Sequence, residues 1–67
     1  MINTIKFFQV VVNEVDAVDG WEKNLESVDL SGCNAVTING VISFSVVPFE
    51  KQAREIYKAI TGKDSVN

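Results

Sequence analysis

Apolar positions along this chain follow patterns of different period, and each pattern predicts an element. Residues 5–12 are rich in β-branched and aromatic side chains (Phe7, Phe8, Val10, Val11, Val12), which suit a pleated strand. Alternation puts Ile5, Phe7, Val11 and Val15 on one face, and Lys6, Phe8, Val10, Val12 and Glu14 on the other. Both faces are apolar through the middle. The strand is therefore expected at the centre of a sheet, or with one face against a partner.

Residues 35–47 predict a hairpin. Asn39-Gly40 separates two β-rich runs, and a two-residue turn of this type needs φ > 0 at both positions. Such a turn sets Ile38 opposite Val41, Thr37 opposite Ile42, Val36 opposite Ser43 and Ala35 opposite Phe44. Cys33, Ala35, Thr37, Ile42, Phe44 and Val46 then share the face expected to be core. Val36, Ile38, Val41, Ser43 and Ser45 share a half-wet face.

Residues 48–61 carry the helical period. Phe49, Ala53, Ile56, Tyr57 and Ile60 form one stripe. Pro48 suits the first helical position, where a missing N–H costs nothing. Glu50 and Lys58 complement the two ends of the helix dipole. Gly62 is placed to end the helix in a left-handed conformation, and residues 63–67 are expected to fray.

Residues 16–32 admit two readings. As a helix, Val18, Trp21, Leu25 and Val28 form an apolar stripe, Asp19 caps with Glu22 in a capping-box position, and Gly32 terminates. As strands, Asp19-Gly20 is a second hairpin turn with Asp16 facing Lys23. The helical reading is preferred. The whole predicts one small α+β domain over residues 1–62. A three-stranded, mainly antiparallel sheet carries a C-terminal amphipathic helix packed on one face, in the order β-α-β-β-α, with β-β-β-β-α as the second choice.

Composition narrows the chemistry. The chain has 67 residues, no histidine and one cysteine, Cys33. An intrachain disulfide is excluded, and a metal or cofactor is not expected, because imidazole and a second thiol are missing. Stability then rests on a dense core, on association, or on both. The start of the chain lacks the pattern of a secretory signal, and no apolar run approaches the length of a membrane span. A reducing cytoplasm is the expected compartment.

The net charge is −3, and six of the nine carboxylates lie between Glu14 and Asp29. On the helical reading Asp19, Glu22, Glu26 and Asp29 make a negative ridge beside the apolar stripe. Such a ridge steers encounter with a basic surface, although a solvated face that aids solubility is the plainer account. The spacing lacks the pattern of a calcium loop. Trp21 is either the core anchor of this segment or an exposed aromatic hot spot.

Lys51, Arg54 and Lys58 form a basic stripe suited to phosphates. Glu50 and Glu55 sit at ion-pair spacing from Arg54 and Lys58 and weaken it. Cys33 has no neighbouring cation to activate its thiol, and a serine–histidine pair cannot exist here.

These features predict a non-enzymatic protein-binding module. It would act as an inhibitor or adaptor of the kind carried by phages and mobile elements, a prior set by size and charge alone. The predicted partner-binding residues are Asp19, Trp21, Glu22, Glu26 and Asp29. Nucleic-acid binding through Lys51, Arg54 and Lys58, or a structural role in a larger assembly, are the alternatives. The sheet holds more apolar surface than one helix covers. Either residues 16–32 or a second copy of the chain must cover the other face, so a homodimer is expected if those residues do not.

Overall fold

A computed structural model describes residues 7–64. The strand positions read at Ile5 and Lys6, and the tail at 65–67, lie outside the described residues. The fold is α+β. β1 (Phe8–Asn13) runs into a 3₁₀ turn (Glu14–Asp16), then α1 (Trp21–Leu25), β2 (Ala35–Ile38), β3 (Val41–Val47) and α2 (Glu50–Thr61). The three strands form one antiparallel sheet in the order β1-β3-β2.

The hairpin has the predicted register: Ile38 faces Val41, Thr37 faces Ile42, Val36 faces Ser43 and Ala35 faces Phe44. Asn39 at φ 53° and Gly40 at φ 77° supply the two left-handed residues that let a two-residue turn follow the twist of its strands. The centre of the sheet, however, is β3 and not the first strand. β1 is an edge strand whose apolar outer face is left bare.

The core face also differs from strict alternation. Val10 pairs with Phe44 but Phe8 pairs with Val47, so β3 carries one extra residue between these pairs. This bulge inverts the side-chain sense beyond Phe44. Val47 is fully buried, while Val46, predicted to face inward, is half exposed.

α2 packs on the inner face of β1 and β3, and α1 packs on α2. Both helices therefore lie on one side of the sheet. Between the layers lie Val10 and Val12 of β1, Ile42, Phe44 and Val47 of β3, and Ile56 and Ile60 of α2, joined by Leu25 and Cys33. Each fully buried side chain contributes about 1.5–3 kcal/mol of transfer free energy. α2 does not reach over β2. Ala35 and Thr37, predicted to be core, are consequently exposed, as is all of β2.

Helix α2 begins later than Pro48 suggests. Phe49 is extended (φ −124°, ψ 138°) and serves as the N-cap, its carbonyl accepting the Ala53 N–H at 3.0 Å. Pro48 thus precedes the cap, and Phe49 leaves the apolar stripe and is 68% exposed. The buried positions are Gln52, Ile56, Ile60 and Thr61, with Ala53 and Tyr57 half buried. Gly62 ends the helix as predicted, at φ 73°, its N–H donating to the Lys58 carbonyl at 2.7 Å. A Cβ there would sit 3.4 Å from Val18 Cγ1, so the left-handed backbone and the close approach both favour glycine.

Residues 16–32 are helical for only five residues. Gly20 occupies the N-cap position without a side-chain cap, so Asp19 does not cap, and Gly32 lies beyond the helix end. After Leu25 the backbone tightens into i→i+3 turns, Ser27 N–H to Asn24 and Val28 N–H to Leu25. Ser27 Oγ donates to the Asn24 carbonyl at 2.9 Å, and Asn24 Nδ2 donates to the Ala59 carbonyl at 3.0 Å. These side chains draw backbone groups away from a continuing helix and tie the segment to α2. The predicted stripe still packs inward: Leu25 is buried, and Val18, Trp21 and Val28 are half buried.

Candidate functional site

Three surfaces carry exposed chemistry: the acidic segment with its groove against α2, the basic positions of α2, and the outer face of the sheet.

Asp19, Glu22, Glu26 and Asp29 are all exposed, but the short α1 does not align them into a ridge. Glu22 lies in its first turn and Glu26 at its C-cap. Asp19 precedes the helix and Asp29 falls in the loop beyond it. Trp21 is half buried against the core, which makes it the anchor of the segment more than a free aromatic.

Asp29 is the most structured of the acids. Its Oδ1 accepts the Ser31 hydroxyl at 2.6 Å and the Ser31 backbone N–H at 3.0 Å. These bonds favour the carboxylate and hold its pKa below the ordinary aspartate value. Its backbone carbonyl accepts a 2.6 Å hydrogen bond from Gln52 Nε2, joining the loop to α2. Asp29, Phe49, Lys51, Gln52 and Glu55 line a groove of about 410 Å³ at this junction.

The basic positions are less free than a helical wheel suggests. Arg54 is hydrogen-bonded through Nε (3.1 Å) and Nη2 to Glu50 Oε2. Lys58 Nζ lies 3.8 Å from Asp64 Oδ1. Both pairs are exposed and add little stability, but each places a carboxylate beside the cation. Lys51 instead borders the acidic groove.

Cys33 is buried. Desolvation, with a smaller push from the Asp29 charge, raises its thiol pKa above the ordinary cysteine value. The thiol is therefore protonated at neutral pH.

The outer face of the sheet presents Val11 of β1, Val36 and Ile38 of β2, and Val41 and Ser43 of β3, with Val46 exposed at the bulge. Alternation adds Gln9 and Asn13, so no charged side chain stands on the strand positions of this face. The apolar character of β1 and the hairpin signalled this surface. The groove at Gln52 and Phe49 had no such signal, because Phe49 was read as part of the helical stripe. The spacing Gln52-Ile56-Ile60 at i, i+4 and i+8 is the signal that would have placed Gln52 over the core, but Gln52 was not counted in the stripe.

Among the described residues, no group of three His, Cys, Asp or Glu side chains is arranged to hold a metal ion. None of the described helices is long and apolar enough to cross a membrane. Compared with protein-family models, curated proteins and solved structures, the chain matches none.

Proposed function

We propose that this chain is a protein-binding module and not an enzyme, working as a two-sided adaptor. It presents the acidic segment of residues 19–29 to a basic partner, and it associates with a second copy through the outer sheet face. The observation that carries this reading is the placement of both helices on one side of the sheet, which leaves Val11, Val36 and Ile38 exposed and Val41 only partly covered. Residues 16–32 pack on α2 and so do not fill that role.

A second copy is the occupant that charge favours. Each chain carries −3, yet the strand positions of the outer face are uncharged. Two copies can stack there with their acidic sides pointing apart. Like-charge repulsion is then weakened by distance and screening. Three strands about 4.8 Å apart and about five residues long give a footprint of roughly 14 by 17 Å, or about 240 Å² per copy. Standard interfaces bury about 800 Å² per partner, so a weak dimer is expected.

Sedimentation equilibrium over a concentration series reaching the millimolar range tests this. The average mass should climb towards twice that of the monomer. Val11→Lys and Ile38→Lys, both at sites at least 60% exposed, should stay monomeric with unchanged circular dichroism. A wild-type chain that remains monomeric throughout rejects the sheet-face interface.

A further inference from the structure

We propose that the free edge of β1 is a docking site for an extended segment of a partner protein, which adds to the sheet as a fourth strand and seats its inward side chains between β1 and α2. The site is separate from the acidic segment and from the outer sheet face, and the inference depends on neither.

The register fixes which backbone groups that edge offers. In a hairpin closed by a two-residue turn the flanking residues, here Ile38 and Val41, exchange hydrogen bonds, and bonded pairs recur at every second residue. Val41 and Ser43 therefore point their N–H and C=O groups at β2, which leaves those of Ile42 and Phe44 for β1. Their partners there are Val12 and Val10. The Glu14 N–H continues the same parity with a 2.7 Å bond to the Gly40 carbonyl. Gln9, Val11 and Asn13 thus turn their N–H and C=O groups to the open edge, because β1 ends the strand order β1-β3-β2. From Phe8 to Asn13 this edge carries no charged residue and no proline, two devices that usually keep a second strand away.

The space beside that edge shows what fits. Two cavities, of about 510 and about 270 Å³, follow each other between β1 and α2 and share Val11 and Tyr57. Val10, Ala53 and Tyr57 line the first; Val12, Tyr57 and Thr61 line the second. An incoming antiparallel strand sets three residues opposite Asn13, Val11 and Gln9, with up to about six hydrogen bonds, and the two residues between them face inward opposite Val12 and Val10. Charge balances in each cavity: Glu50 is bonded to Arg54 in the first, and Asp16 accompanies Lys63 in the second. The inward residues of the segment are therefore apolar, while the net charge of −3 favours basic residues on its flanks. β2, the other edge strand, lies beyond the reach of α2 and is exposed throughout.

A second copy of β1 is a poorer occupant. α2 packs on β1 more extensively than on β3, so its axis lies towards the open edge. Two β1 strands about 4.8 Å apart would bring two α2 axes to less than about 10 Å, where helices already touch at about 8–10 Å. Arg54 and Tyr57 would stand in that gap. A free segment brings no helix with it.

The test is amide hydrogen exchange of the full chain by NMR, at a concentration that keeps it monomeric, with and without a capped Lys-Thr-Val-Thr-Val-Thr-Lys peptide. Exchange at Gln9, Val11 and Asn13 should slow, by about tenfold when about nine-tenths of the chain is occupied. Val10 and Val12, already bonded to β3, should change little. A peptide N-methylated at its three threonines lacks the N–H groups that face β1 and should have no effect. N-methylation at its two valines, whose N–H groups face solvent, should preserve the effect. Val11→Pro removes an edge donor without touching the β3 ladder. It should keep its circular dichroism and bind the peptide at least about tenfold more weakly. If that variant unfolds, the two methylated peptides decide alone. Equal slowing with both, slowing without the alternation, or no slowing at millimolar peptide overturns the edge site. Protection of the same amides that needs no peptide and grows with chain concentration gives the edge to a second copy, and it overturns the proposal as well.

Discussion

Replacing Val47 and Val46 separately by alanine tests the bulged register of β3. Val47 is fully buried beneath α2, whereas Val46 is half exposed. Val→Ala removes about two methylene equivalents, worth about 1.6 kcal/mol when fully buried. The cavity left between rigid layers raises the total at Val47 to about 2–3 kcal/mol. At Val46 the same truncation costs less than about 0.8 kcal/mol, because half of that surface is already wet. A domain of this size holds only about 3–5 kcal/mol from its core, so the first loss is a large share of the whole. At about 4–8 °C per kcal/mol, Val47→Ala should lower Tm by about 8–24 °C and Val46→Ala by less than about 6 °C. Urea unfolding followed by Trp21 fluorescence and far-ultraviolet circular dichroism gives both values. A larger loss at Val46 than at Val47 would refute the bulge and restore simple alternation through the strand.

Two further outcomes follow from the titrating groups. Ser31→Ala removes the hydroxyl bond to Asp29 and should bring its carboxyl pKa up towards the ordinary value, read by NMR titration. Because the folded pKa is depressed, the stabilisation from this pair is present at neutral pH and disappears as pH falls through that folded pKa; an unchanged pKa in the variant contradicts the assignment to Ser31. Cys33 should react slowly with a disulfide reagent at mildly alkaline pH in the folded protein and quickly once unfolded. Its folded pKa is raised, so the stability it contributes is complete below the ordinary thiol pKa and is lost as pH rises through the raised value; rapid reaction of the folded protein disproves its burial.

The hairpin was readable to the residue because Asn39-Gly40 admits one turn geometry, and that geometry dictates every pair from Ile38–Val41 to Ala35–Phe44. The end of α2 was readable for a similar reason: Gly62 is a local, stereochemical signal. Strand order was not. Apolar residues on both faces of β1 fit a central strand and also an edge strand with a bare face, and only the packing of both helices on one side separates these cases. The bulge escaped notice because nothing in Ser45-Val46-Val47 marks which residue is extra. The length of α1 depended on Asn24 reaching Ala59, a contact between segments far apart in the chain. The acidic residues were identified individually, but their arrangement as a ridge depended on a longer helix than the one that forms. The groove at Gln52 rests on a conformation of Phe49 that a helical wheel does not register.

The strand that leads the sheet pairs only with β3, Phe8 lying against Val47. A nascent chain leaving the ribosome therefore exposes Phe8 to Val12 with no sheet neighbour until the second arm of the hairpin has emerged, and without its helical cover until α2 follows. Local turns can form early, but the cooperative step waits for nearly every element to be available. Folding is thus expected to wait until α2 has emerged, and chains stalled before residue 41 should be captured by chaperones as extended, sticky polypeptide.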